Sequence, residues 1–159
     1  MASAGGTVRP AVVNCSAIRV GWPVALKVVH PELAASVASG ARVVVFTAFD
    51  PGRDAPTSWT RPRQALYNEH VREIADRHDA TIVDFWRFSE YRDLRMWDPD
   101  RLHLSPAGHH NMALRVLDIL GVSHSLPLVR LDAPVPLTPT AQRADDRRWM
   151  REFLFPWVG

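Results

Sequence analysis

Cysteine is all but absent from this chain. Cys15 stands alone, which excludes an intramolecular disulfide and gives no sign of an oxidising compartment. Lysine is equally scarce, since Lys27 is the one basic residue of 19 that is not arginine. The arginines are scattered, and Arg147 and Arg148 directly follow Asp145 and Asp146. Nucleic-acid-binding proteins gather such charge on one face, so no nucleic-acid partner is expected. No apolar run approaches the roughly 18 residues that a membrane span needs, and no membrane association is expected. "MASAGGTVRP" lacks a basic region followed by an apolar core, so it does not read as a secretory signal. The expectation is a soluble, cytoplasmic protein.

With 159 residues, 47% of them hydrophobic and 23% charged, the chain can bury a core without disulfides or metal. From residue 31 it alternates between helix and strand. Pro31 opens a helix with an apolar stripe of Leu33, Ala34, Val37 and Ala38, and Gly40 stops it. "RVVVFTAF" then reads as a strand apolar on both faces, the pattern of a buried parallel sheet. "DPGRDAPTSWTRPR" reads as a loop. "QALYNEHVREIADRH" is the clearest helix: Tyr67, Val71, Ile74 and Ala75 share one face, and Asn68, Glu69, Arg72, Glu73 and Asp76 lie away from it. "ATIVDF" is a second buried strand, followed by a long loop over 87–105.

"SPAGHHNMALRVLDILG" predicts a helix with Ser105 as N-cap, Pro106 at its first position, Gly121 as stop and a buried stripe of Ala113, Val116, Leu117 and Leu120. This alternation predicts an α/β fold with parallel strands and right-handed crossovers. The region after 122 is Pro-rich and extended, and "AQRADDRRWMREFLFPWVG" predicts a short amphipathic helix. The first thirty residues have no clean period of either kind.

The densest chemistry lies in "DPDRLHLSPAGHH", residues 98–110. Asp100 and His103 are three apart on a tight turn, where the carboxylate can accept a hydrogen bond from one ring nitrogen. That fixes the tautomer and leaves the other nitrogen to take a proton from a hydroxyl. The loop follows the end of a strand, where ligands bind in open α/β sheets. Short Asp-x-x-His matches also arise by chance, as a surface loop before a capped helix. A rival reading is a metal site built from His103, His109 and His110 with Asp98 or Asp100. Neighbouring helical residues point about 100° apart, which argues against His109 and His110 sharing one ion. Ser105, as an N-cap, and Cys15 are poor substitutes for a nucleophile.

"RMWDPDRLHLSPAGHHNMALRVLDILG", "ARVVVFTAFDPG", "YNEHVREIADRHDATIVDFW" and "RADDRRWMREFLFPWVG" resemble, in order and spacing, segments of the SGNH (GDSL-type) esterases and lipases, in their actinobacterial branch. The resemblance runs from about residue 38 to the end. It implies a doubly wound parallel sheet of three-layer α/β/α, flavodoxin-like type with its N-terminal strands missing. It also implies Asp100 and His103 as the catalytic Asp and His of a serine esterase, a small-molecule ester substrate and no cofactor.

The family's serine stands in a Gly-Asp-Ser block, and no serine of this chain does. "SAGGTVRP" resembles the start of the family's third block, but Thr7 and Val8 replace its Asn and Asp. The implied organisation is a divergent or frame-disrupted segment over 1–30, the C-terminal part of a hydrolase domain over 31–122, and a Pro-rich tail with a short helix over 123–159. The chain is then expected to be a truncated or inactive copy, with a non-catalytic remnant or binding module as the alternative and a metal-dependent hydrolase behind it. A missing central strand would expose an apolar sheet edge and favour self-association, unless the first thirty residues supply a strand.

Overall fold

The computed structural model describes residues 11–13, 31, 33–133 and 136–158, arranged as two compact units. Cys15 and the block-like "SAGGTVRP" lie outside the described residues. One unit takes in residues up to Arg53 and Thr57–Ser89; the other is Asp54–Pro56 with Glu90–Gly159.

The first unit is built on three parallel strands, β1 (Ala11–Val13), β2 (Val43–Phe46) and β3 (Thr81–Val83), in the order β1-β2-β3. The chain passes from β1 to β2 by way of a helical segment α1 (33–38), and from β2 to β3 through α2 (Arg61–Arg77). The β-branched run of β2 makes it the centre. Val43, Val44 and Val45 are all buried, so both faces of the strand are covered, as parallel strands require. Leu33 of α1 and Tyr67, Val71 and Ile74 of α2 join Val43 and Val45 in one apolar cluster.

β1 lies in the stretch where the sequence has no clean period, yet Ala11 pairs with Val43 and Val13 with Val45. The first thirty residues therefore supply a strand to the edge of β2, the condition under which no open apolar edge was expected. The reason is local: Ala11, Val12 and Val13 form a short apolar run, long enough for three rungs but too short to register as a period.

Three expectations need correction. α2 begins at Arg61, not Gln64, because Pro62 occupies the first turn, where its missing N–H costs nothing. Asn68 is fully buried instead of facing solvent. Its amide accepts from the Ala48 N–H at 2.8 Å and donates to the Ala48 carbonyl at 3.1 Å. A side-chain amide can satisfy both the N–H and the C=O of a residue that has left the sheet ladder, which apolar side chains cannot do. In α1, Leu33 is buried but Ala38 is exposed.

A 3₁₀ turn (Ser89–Arg92) opens into the second unit at Glu90, and the unit continues with a second 3₁₀ turn (Leu94–Met96), α3 (Pro106–Leu120), an extended segment, and α4 (Pro139–Trp149). A π-helical turn (Met150–Leu154) and α5 (Phe155–Val158) complete the helical end foreseen for this region. The caps of α3 are as expected: the Ser105 hydroxyl accepts from the Gly108 N–H, and Gly121 ends the helix at φ 68°.

The buried face of α3 differs from the predicted stripe. Gly108, Asn111 and Leu114 are buried, Ala113 is exposed, and Val116, Leu117 and Leu120 are half-buried. Irregular chain covers this face, and its polar backbone selects the residues. Asn111 accepts from the Val129 N–H and donates to the Val129 carbonyl, both at 3.0 Å. A Cβ on Gly108 would lie 2.1 Å from the Met96 carbonyl oxygen, so only glycine fits.

Candidate active site

The loop before α3 is closed at its base. Trp97 and Leu104 form an antiparallel bridge, and the Ser105 N–H donates to the Met96 carbonyl at 2.9 Å. Tyr91 supports it from below: its hydroxyl donates to the Gly108 carbonyl at 2.8 Å, and the Trp97 indole N–H donates to the Tyr91 carbonyl at 2.8 Å. Burial first, then the charge of Glu90, pushes the Tyr91 phenol up, so it stays a protonated donor. Within the loop, the Asp98 N–H donates to the His103 carbonyl and the Arg101 N–H to the Asp98 carbonyl, each at 2.8 Å. Arg101 turns the chain at φ 54°, the left-handed region.

This turn brings Asp100 and His103 together as the spacing predicted. Oδ1 of Asp100 accepts from the Leu102 and His103 N–H groups at 2.9 and 3.0 Å, and Oδ2 lies 2.6 Å from His103 Nδ1. An ionised carboxylate can only accept, so Nδ1 carries the hydrogen and Nε2 presents its lone pair. The His103 side chain is 71% exposed, against 28% for Asp100.

Partial burial pushes the Asp100 carboxyl up. The two backbone N–H groups, the ring and its charge outweigh that, leaving it below its usual value. The hydrogen bond to Asp100 and then its charge raise the imidazole above its usual 6.5; slight desolvation opposes this, and Asp98 adds to it.

The other sequence candidates are not drawn into this pair. Asp98 contributes charge and backbone geometry. His109 is exposed on the first turn of α3, and the His110 ring Nε2 lies 2.8 Å from the Pro127 carbonyl, so it holds the extended segment. Among the described residues no three His, Cys, Asp or Glu side chains gather at metal-binding distance. The Ser105 hydroxyl donates to the Arg95 carbonyl at 2.8 Å while capping α3, which commits it to structure.

The sequence also gave no warning of α4 at this loop. The Trp149 indole N–H donates to the Asp100 carbonyl at 2.8 Å. The Arg101 guanidinium pairs with Asp145 and Asp146, each at 2.7 Å, and lies 5.1 Å from the Trp149 ring centroid. These contacts span 44 to 49 residues. Asp145 and Asp146 looked compensated by their neighbours Arg147 and Arg148.

A carboxylate-oriented histidine on the loop before a capped helix, in a parallel α/β chain, is the setting in which the comparisons fall. The model of the GDSL-like Lipase/Acylhydrolase family matches residues 17–110, more than half of the chain. The chain belongs to this family. The match takes in residues 17–30 as well as the Asp100–His103 loop, and ends within the first turns of α3. Among solved structures, this GDSL-like chain is similar to LAE5, an alpha/beta hydrolase enzyme from the metagenome of Lake Arreo, Spain, with 22% identity and a TM-score of 0.53. The likeness covers 73% of this chain and 60% of that one, and speaks for the α/β fold alone. The comparison with curated proteins found no match.

Proposed function

We propose that this GDSL-like chain carries the general-base half of a serine ester hydrolase site, with His103 as base and then acid and Asp100 as its orienting carboxylate. One observation carries the reading: the 2.6 Å contact of Asp100 Oδ2 with His103 Nδ1, with Asp100 itself held by two backbone N–H groups. In the reaction, a serine hydroxyl attacks the acyl carbon of a small-molecule ester and gives its proton to His103 Nε2. The imidazolium formed is stabilised by Asp100. His103 then returns that proton to the leaving alkoxide, and a water repeats the cycle on the acyl-enzyme.

No serine in the sequence stands in a Gly-Asp-Ser setting, the family's place for the attacking hydroxyl. That absence favours a second reading, in which the chain by itself is a non-catalytic member of the family. Hydrolysis of p-nitrophenyl acetate by the 159-residue chain, with His103→Ala as control, separates the two. Turnover lost on His103→Ala supports the base role and sinks the non-catalytic reading. No turnover above the control, with the chain folded, establishes the non-catalytic reading for the chain alone.

A further inference from the structure

The sequence places α4 in a tail beyond the hydrolase motif, and the family match ends before it. Yet its contacts fall on the two residues that set the catalytic turn. The carbonyl of Asp100 receives the Trp149 indole N–H, and the next residue, Arg101, is gripped by Asp145, Asp146 and the Trp149 ring.

The grip is partly shielded from water, with the Asp145 side chain 30% exposed. The Arg101 side chain is 12% exposed, and that of Asp146 is 16%. Gln142, one turn earlier on α4, donates to Asp146 Oδ1 at 3.1 Å, and Arg148 pairs with Asp145. Both carboxylates are therefore oriented from their own helix before they meet the guanidinium. Arg101 also occupies left-handed backbone at φ 54°, a conformation that non-glycine residues adopt only when the surroundings hold them there. α4 supplies that hold, through a side chain whose fork matches two separate acceptors.

We propose that α4 is a positioning element for the catalytic pair, with Trp149 and Arg101 fixing the peptide of Asp100 so that its carboxylate meets His103 Nδ1. This rests on the reading of His103 as base, but its test does not use hydrolysis. The Asp100 carboxylate reaches the ring only while the Asp100–Arg101 peptide keeps its present orientation. Neither Trp149 nor Arg101 needs to touch substrate, so they are positioning residues, not catalytic ones.

The experiment is the titration of the His103 ring protons by NMR in the full chain, for wild type, Trp149→Phe and Arg101→Gly. Trp149→Phe removes the indole N–H at constant charge. Arg101→Gly removes both ion pairs while glycine accepts the positive φ without strain. Deleting the Arg101 cation would by itself raise the imidazole pKa, so a fall there reports lost contact with Asp100.

The expected result is a His103 midpoint that drops in both variants towards its usual 6.5, with Trp149→Tyr no better than Phe. Arg101→Lys should recover part of the shift. A midpoint unchanged in the two folded variants overturns the proposal, even if their melting temperatures fall. An unfolded Arg101→Gly leaves the decision to Trp149→Phe, read the same way. Failure of hydrolysis in the wild type, with the His103 shift present and lost in the variants, would remove the esterase reading and leave the positioning role standing.

Discussion

His103 is mostly in solvent, yet its behaviour is set by one short contact. The raised imidazole and the lowered Asp100 carboxyl act in opposite pH ranges. The stabilisation linked to His103 is fully present below 6.5 and is lost as pH rises through the raised value. That of Asp100 is present above 3.8 and is lost as pH falls through its lowered value. The charged pair is therefore complete between these limits, whereas a general base needs His103 neutral. Any His103-dependent hydrolysis should rise with pH through a midpoint above 6.5, and Asp100→Asn should return that midpoint towards 6.5 and cut the rate on the order of 100-fold. A pH–rate profile of the two proteins checks both. Gly108 offers a structural counterpart at the same scale. Gly108→Ala would drive a methyl into the Met96 carbonyl, with an expected cost of about 1–3 kcal/mol or more in urea unfolding.

At the scale of elements, helices here are tied to irregular chain by buried side-chain amides. Asn68 of α2 holds the peptide after β2, and Asn111 of α3 holds Val129 of the extended segment. Removing either leaves a partly buried N–H and C=O without that partner. Asn111→Ala should therefore cost about 2–4 kcal/mol, and hydrogen exchange should show the Val129 amide losing protection first. Both asparagines were legible as residues but not as anchors. The 3.6-residue period assigns them to the polar side of their helices, because the period assumes an apolar cover. The same assumption misplaced the buried face of α3. The caps, in contrast, were readable from sequence. Ser105, Pro106 and Gly121 act through neighbours within four residues, so no distant partner is needed to call them.

For the whole molecule, acid is the condition that tests the carboxylate network. The Asp93 carboxyl is held low chiefly by its hydrogen bond to Arg95, and Asp100 is held low by backbone and ring donors. Stabilisation from both is complete above 3.8 and is lost as pH falls through the lowered values. Melting temperature should drop below about pH 4, and the drop should be shallower in the Asp93→Asn, Asp100→Asn double variant. A fluorophosphonate probe gives a second test at this scale. The 159-residue chain should not be labelled, because no serine combines a free hydroxyl with the family's Gly-Asp-Ser setting. Stoichiometric labelling that His103→Ala abolishes would show that another serine has taken the role.

The sequence by itself determined what depends on near neighbours. It specified the parallel α/β alternation, from β-branched runs between amphipathic helices, and the helix ends, from their caps. It also placed Asp100 within reach of His103, three residues apart on a tight turn. Tertiary structure decided what depends on chain far away. Only folding put Ala11–Val13 beside β2, turned Asn68 and Asn111 inward, and laid Trp149, Asp145 and Asp146 on the loop that carries Asp100 and Arg101. Those contacts join residues separated by 18 to 49 positions. Their partners are polar backbone groups and single ion pairs, which leave no period in a sequence.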